Sequence, residues 1–236
     1  MSLGELTVRV ASETRALRPA VIEHLGLALG NDVAKEGLLL SRPAVDGGVG
    51  SAAWVLYESG DIVLRRSRDE ADVIAAACVH LDLLRHAVAT DLLPLRLRTI
   101  VLPDGSAVLA APGPIHGLAG LDRRLAKRGA IVVPSTVAIV DATTCEVVLP
   151  EQSIEPAVPS GRFPIRSILL RDQHEPVLDG ADVLLALARL LIRDPLRALQ
   201  PALDYMVVLA AQGVVSLAAP EEIIRIVGDL GASSSA

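Results

Sequence analysis

The sequence predicts an α/β fold in which a phosphate-loop-type core follows a small α+β lobe. Three observations carry that expectation. Residues Ser106 to Asp141 run through an apolar strand (Ala107 to Ala111), a Gly/Pro loop (Pro112 to Gly117), a helix with Leu118, Leu121 and Leu125 on one face, and a second apolar strand from Ile131. That order is the layout of a phosphate-binding loop. Strand-like and helix-like apolar spacing continues on both sides of the stretch. Finally, 236 residues that are 51% hydrophobic and 21% charged suffice for one large domain, or a domain with a small lobe, around a sizeable core.

Taken in order, Leu6 to Val10 alternates as a strand does, and Val21, Leu25 and Leu29 give Arg18 to Leu29 helical spacing before Gly30-Asn31-Asp32. Leu38 to Leu40 reads as a short strand. The glycine-rich run Asp46 to Gly50 is followed by a strand and by no Lys-Ser/Thr, so it reads as a turn. Trp54 to Glu58 and Ile62 to Arg66 flank Ser59-Gly60-Asp61, a hairpin signal. Ser67 and Glu70 form a capping-box pattern opening a helix to about Ala89, with Val73, Ala77, Leu81, Leu84 and Val88 on its buried face. His80 and His86 do not share a stripe of that helix and read as ordinary surface or interface histidines.

Leu95 to Leu102 is expected to be a half-buried strand that Pro103-Asp104-Gly105 turns back into Ala107 to Ala111. Val137 to Asp141 and Cys145 to Leu149 follow as strands around Ala142-Thr143-Thr144, and the proline-bearing stretch Pro150 to Pro164 reads as an exposed loop. Ile165 to Leu170 is a strand, Ala181 to Ile192 and Pro195 to Ala211 are helices, Val214 to Leu217 a strand and Pro220 to Leu230 a helix. Gly231 to Ala236 is expected to be disordered. The expected division is a lobe over 1–90, a core over 91–230 and a tail over 231–236.

In a phosphate-binding loop, backbone N–H groups wrap an anion, a lysine reaches the outer phosphates and a Ser or Thr hydroxyl holds magnesium. This chain has the frame without those groups. After Gly113 and His116 it offers Gly117, Leu118 and Ala119 where Gly-Lys-Ser/Thr would stand, and Pro112 and Pro114 remove further donors. Its only lysines are Lys35 and Lys127, the latter near the far end of the loop helix and out of reach of a phosphate at its start.

The surroundings of this loop resemble the HPr kinase-like family, including its versions associated with modified-peptide biosynthesis. Those proteins carry a glycine-rich loop ending Gly-Lys-Ser-Thr, a helix closing on Arg-Gly, and an apolar strand running into an Asp-Asp pair. In that register Arg128-Gly129-Ala130 matches the helix end and Ile131-Val132-Val133 the strand. Leu118 then falls on the lysine, Ala119 on the magnesium-binding serine and Ser135-Thr136 on the acidic pair, while Arg96-Leu97-Arg98 stands where the family commonly has a histidine. The element order matches from about Trp54 to Leu230, with the diagnostic residues between Ala111 and Asp141. The resemblance therefore implies the fold, and a degenerate site at Gly113, His116, Gly117, Leu118, Ala119, Ser135 and Thr136 that takes no cofactor.

Two further groups are candidates. His116, at a helix N-terminus, would be held neutral as a base, or is a loop histidine without a catalytic role. Arg123, Arg124, Lys127 and Arg128 form a basic helix face opposite the leucines, either solvated or a dock for an acidic peptide or protein. Asp172, His174 and Glu175 are adjacent loop residues without a fourth ligand, and no metal site is assigned to them. Cys78 and Cys145 read as buried apolar residues, which fits a reducing compartment.

A net charge of −6 argues against a general nucleic-acid binder, and the uncharged run Tyr205 to Pro220 is too short to span a bilayer. The amino-terminal residues lack the pattern of a targeting segment, so a cytoplasmic location is expected. The dominance of arginine over lysine, with abundant Ala, Leu and Val, suggests a bacterial source. Phosphoryl transfer needs charge neutralisation and an acceptor-activating base. The first expectation is therefore a catalytically degenerate HPr kinase-like accessory or scaffold protein that binds a peptide, a partner enzyme or another copy of itself. The alternative is an enzyme of altered, ATP-independent chemistry acting through the remodelled loop.

Overall fold

The computed structural model describes residues 2–3, 6–12, 36–41, 54–58, 62–89, 91–111, 125–151, 158–171, 180–192 and 195–218. The expected helices at Arg18 to Leu29 and Pro220 to Leu230, the Asp46 to Gly50 turn, the loop from Pro112 through Arg124, the Asp172 to Glu175 group and the tail lie outside these residues. The described residues have mixed α/β content and form two sheets.

The first sheet contains β1 (Ser2–Leu3), β2 (Leu6–Ser12), β3 (Glu36–Ser41), β4 (Trp54–Glu58) and β5 (Ile62–Ser67), paired in sequence order. β2 and β3 are parallel; β4 and β5 form the expected antiparallel hairpin, with a register shift between Leu56 and Tyr57. Helix α1 (Glu70–Ala89) follows. Its cap differs from the expected one: Asp69 Oδ1 accepts the Ala71 N–H at 3.0 Å, while Ser67 Oγ accepts only the Asp69 N–H. Asp69 directly precedes the first helical residue, so its short side chain reaches the second N–H of the helix. Glu70 Oε1 has no hydrogen-bond partner among the described residues and does not reach back to close a box.

The second sheet runs β6 (Leu93–Arg96), β10 (Val137–Asp141), β11 (Glu146–Leu149), β12 (Gly161–Arg171), β8 (Ala107–Ala110), β7 (Arg98–Val101) and β9 (Ile131–Val132), with β13 (Val215–Ala218) on β12. The expected strand Leu95 to Leu102 is two strands. The chain bends at Leu97, whose N–H bonds the Leu95 carbonyl at 2.9 Å, so β6 pairs with β10 and β7 with β8. Among the described residues, the parallel pairings of this sheet are those of β12 with β8 and with β13. α2 (Gly180–Arg189) and α3 (Pro195–Ala211) lie between β12 and β13, because parallel neighbours need a crossover.

Two boundaries differ from the sequence expectation. Residues 161–164 of the proline-bearing stretch belong to β12 and pair with β11, the Ile165 N–H bonding the Cys145 carbonyl at 2.8 Å; Pro164 sits beside that bond and its missing donor is not required. Helix α2 ends at Arg189 rather than Ile192. Residues 190–192 instead cover the edge of β6, through Arg96 N–H to the Leu190 carbonyl (2.6 Å) and Ile192 N–H to the Pro94 carbonyl (3.2 Å).

Strand alternation divides the second sheet between cores. Ala138 and Val140 of β10 face a cluster with Leu93, Leu95, Leu109 and Ile168, closed by Leu187 of α2 and Met206 and Leu209 of α3. Val137 and Ile139 face α1, whose buried Val73, Ala77, Leu81 and Leu84 also meet Leu56 and Leu64 of the hairpin. One apolar cluster thus crosses the expected 90/91 boundary. A third holds Ile100, Val108, Ala110, Leu169 and Leu125.

Candidate functional site

Where the resemblance aligns its acidic pair, the chain passes through a tight turn. Ser135 N–H bonds the Val133 carbonyl at 2.8 Å, and Ser135 Oγ accepts the Val137 N–H at 3.0 Å. A serine hydroxyl two residues ahead of a backbone donor makes such a turn without help from elsewhere. It starts β10 with Ser135 and Thr136 pointing toward α1 and the β4–β5 hairpin, both fully buried.

Five other elements converge there. His80 of α1 places Nδ1 2.9 Å from Ser135 Oγ. Glu58, the last residue of β4, accepts hydrogen bonds from Thr136 Oγ1 at Oε2 and from Arg96 Nη1 at Oε1, the latter at 2.5 Å. Arg98 Nη2 donates to the Val63 carbonyl of β5 at 2.6 Å. The two arginines flank the bend at Leu97 and reach the hairpin, one to each of its strands.

Burial is the largest influence on His80; the nearby Arg96 and Arg98 guanidinium groups act the same way, holding its pKa down at about 3. A neutral ring must accept at one nitrogen. In the tautomer with the ring hydrogen on Nε2, 4.0 Å from Glu58 Oε1, the Ser135 hydroxyl donates to Nδ1 while its oxygen accepts the Val137 N–H. Serine, imidazole and carboxylate in this order are the parts of an activated nucleophile. Ser135 is 0% and His80 1% exposed, however, so no reacting atom fits beside the hydroxyl in this structure. The group acts as an internal hydrogen-bond network.

Of the site residues expected from sequence, Ser135 and Thr136 are therefore brought together with Arg96 and Arg98. Lys127 and Arg128 are exposed at the end of the loop helix. That end has the expected Arg-Gly form: Ala130 N–H bonds the Leu125 carbonyl (3.1 Å), Gly129 N–H bonds the Ala126 carbonyl (3.0 Å), and Gly129 has φ +75°. Gly113, His116, Gly117, Leu118, Ala119, Arg123 and Arg124 lie outside the described residues. β8 leads into that loop at Ala111, whose N–H bonds the Leu169 carbonyl at 2.9 Å.

Sequence reasoning missed Glu58 and the role of His80. Both left a signal. Glu58 shares strand parity with Trp54 and Leu56, and His80 lies three residues after Ala77 and four before Leu84, inside the buried stripe of α1.

Among the described residues no cluster of His, Cys, Asp and Glu forms a metal-binding group, and no helix is long and apolar enough to cross a membrane. No protein-family model, curated protein or solved structure matches the chain.

Proposed function

We propose that this protein is a catalytically degenerate relative of the HPr kinase-like proteins that acts as an accessory or scaffold protein, binding an acidic peptide or partner enzyme in bacterial modified-peptide biosynthesis. The observation that carries this reading is the engagement of Ser135 and Thr136. At the positions that the resemblance assigns to an acidic pair, both hydroxyls are buried and bonded internally, to His80 and Glu58. Phosphoryl transfer needs charged groups aimed at a substrate, and neither residue can supply a carboxylate base. Leu118 and Ala119 replace the lysine and magnesium-binding serine of the resemblance.

Binding is supported by the other end of the loop helix. Lys127 and Arg128 are exposed beside β9, an edge strand of its sheet among the described residues, which carries an exposed Ile131. Positive side chains next to an open strand edge suit an acidic extended segment. Titration calorimetry with MgATP tests the reading, and no appreciable heat of binding is expected. A magnesium-dependent dissociation constant in the low micromolar range would overturn it. So would a strictly monomeric protein that retains no acidic peptide at low salt.

A further inference from the structure

The polar cluster joins parts of the chain that are distant in sequence, and its members differ in where they come from. Glu58 and the Val63 carbonyl belong to the β4–β5 hairpin; His80 belongs to α1; Arg96, Arg98, Ser135 and Thr136 belong to the second sheet and the turn before β10. Every polar connection from the hairpin to the second sheet named above passes through this group. Arg65, further along β5, is turned away from it to a two-pronged pairing with Asp72 at the start of α1, at 3.0 and 2.8 Å.

We propose that this cluster is a proton-sensitive latch, which holds the β4–β5 hairpin on the second sheet while His80 is uncharged and releases the hairpin when His80 takes up a proton. The geometry gives the reason. In the tautomer with the ring hydrogen on Nε2, Nδ1 accepts from the Ser135 hydroxyl 2.9 Å away, and an imidazolium has no acceptor. A proton there would also place a positive charge among Arg96 and Arg98 with almost no solvent contact. Glu58 is the carboxylate nearest the ring, but Arg96 and Thr136 already engage its oxygens, and Nε2 lies 4.0 Å away. Lifting the hairpin removes Glu58 and opens the cluster to water, where a charged imidazole is easily hydrated. The apolar faces of β10 against α2 and α3 are on the other side of the sheet and need not open.

Hydrogen exchange of the full-length protein, followed by mass spectrometry and corrected for the intrinsic pH dependence of exchange, tests this. If opening allows His80 its ordinary pKa of about 6.5, the opening constant of residues 54–67 rises roughly tenfold per pH unit below that value. Strands β10 and β11 keep their protection over the same range. His80→Gln removes the titrating group and flattens the dependence. Equal loss of protection in β4–β5 and β10–β11, no dependence on pH, or the same slope in His80→Gln would each overturn the proposal. Should His80→Gln not fold, the wild-type ring is followed by NMR: proton uptake at His80 coinciding with hairpin opening supports the latch, and uptake with the hairpin still protected overturns it.

Discussion

The imidazole of His80 meets the hydroxyl of Ser135 at 2.9 Å across 55 residues of sequence. An unpaired buried polar atom costs about 1–3 kcal/mol, so a fully buried polar contact depends on how far the groups around it are satisfied. The Val137 N–H, Glu58, Arg96 and Thr136 provide that satisfaction. The two positions that the resemblance aligns with an acidic pair, Ser135 and Thr136, are part of the core.

Two threonines give this account its sharpest mutational test. Thr136 Oγ1 donates to Glu58 Oε2, whereas Thr99 Oγ1, equally buried, has no hydrogen-bond partner. The same substitution should therefore act with opposite sign. Thr136→Val leaves a carboxylate oxygen without its donor and is expected to cost about 1–3 kcal/mol, while Thr99→Val removes an unsatisfied hydroxyl and is neutral or stabilising by up to about 1 kcal/mol. Urea midpoints measure both, and equal destabilisation by the two variants would count against the described network.

Gly129 closes the loop helix with φ +75°, and a Cβ there would stand 3.3 Å from Pro103 Cγ. Gly129→Ala should destabilise by about 1–2 kcal/mol, the cost of a left-handed L-residue. Thermal unfolding reads this directly. An unchanged melting temperature would mean that the helix does not end in this conformation.

Burial, with Asp82 nearby, pushes the Cys78 thiol up to about 11, and burial raises the half-buried Cys145 as well. A thiolate is the reacting species, so Cys78 should resist alkylation at neutral pH until the protein unfolds, and Cys145 should react first. Peptide mapping after timed labelling separates the two. Rapid native labelling of Cys78 would contradict its placement in the core around α1.

Lys127 and Arg128 are the described residues of the basic face, and both are exposed. Exposed charge pairs contribute only about 0–1 kcal/mol each, so a single change is expected to be nearly silent. Reversing both to Glu should weaken an acidic probe such as polyglutamate by about tenfold, or roughly 1.4 kcal/mol, with little effect on melting. Salt should weaken the wild type similarly, since exposed charges are screened over about 8–10 Å at physiological ionic strength. Unchanged binding by the double variant at low salt would make this a solvated helix surface.

The sequence by itself determined the elements whose reasons are local. Apolar alternation located the β4–β5 hairpin and the strands on either side of the Asp104 turn, helical spacing located α1, and Arg128-Gly129 marked a helix end that only glycine closes comfortably. What local spacing could not decide was which polar residues would be buried, since that depends on partners distant along the chain. Arg96 and Arg98 alternate with leucine like solvent-facing residues, yet both flank the bend at Leu97 and reach the hairpin, where Glu58 and the Val63 carbonyl accept from them. Ser135 and Thr136 stand where the resemblance aligns an acidic pair, but only tertiary structure supplied His80 and Glu58 to hold their hydroxyls. The α2 terminus and the start of β12 were displaced for the same reason: strand edges accept backbone groups from any segment that packs beside them, and residues 190–192 and 161–164 took that role. A hydrogen-bond donor can be read from sequence, whereas its acceptor is chosen by the fold.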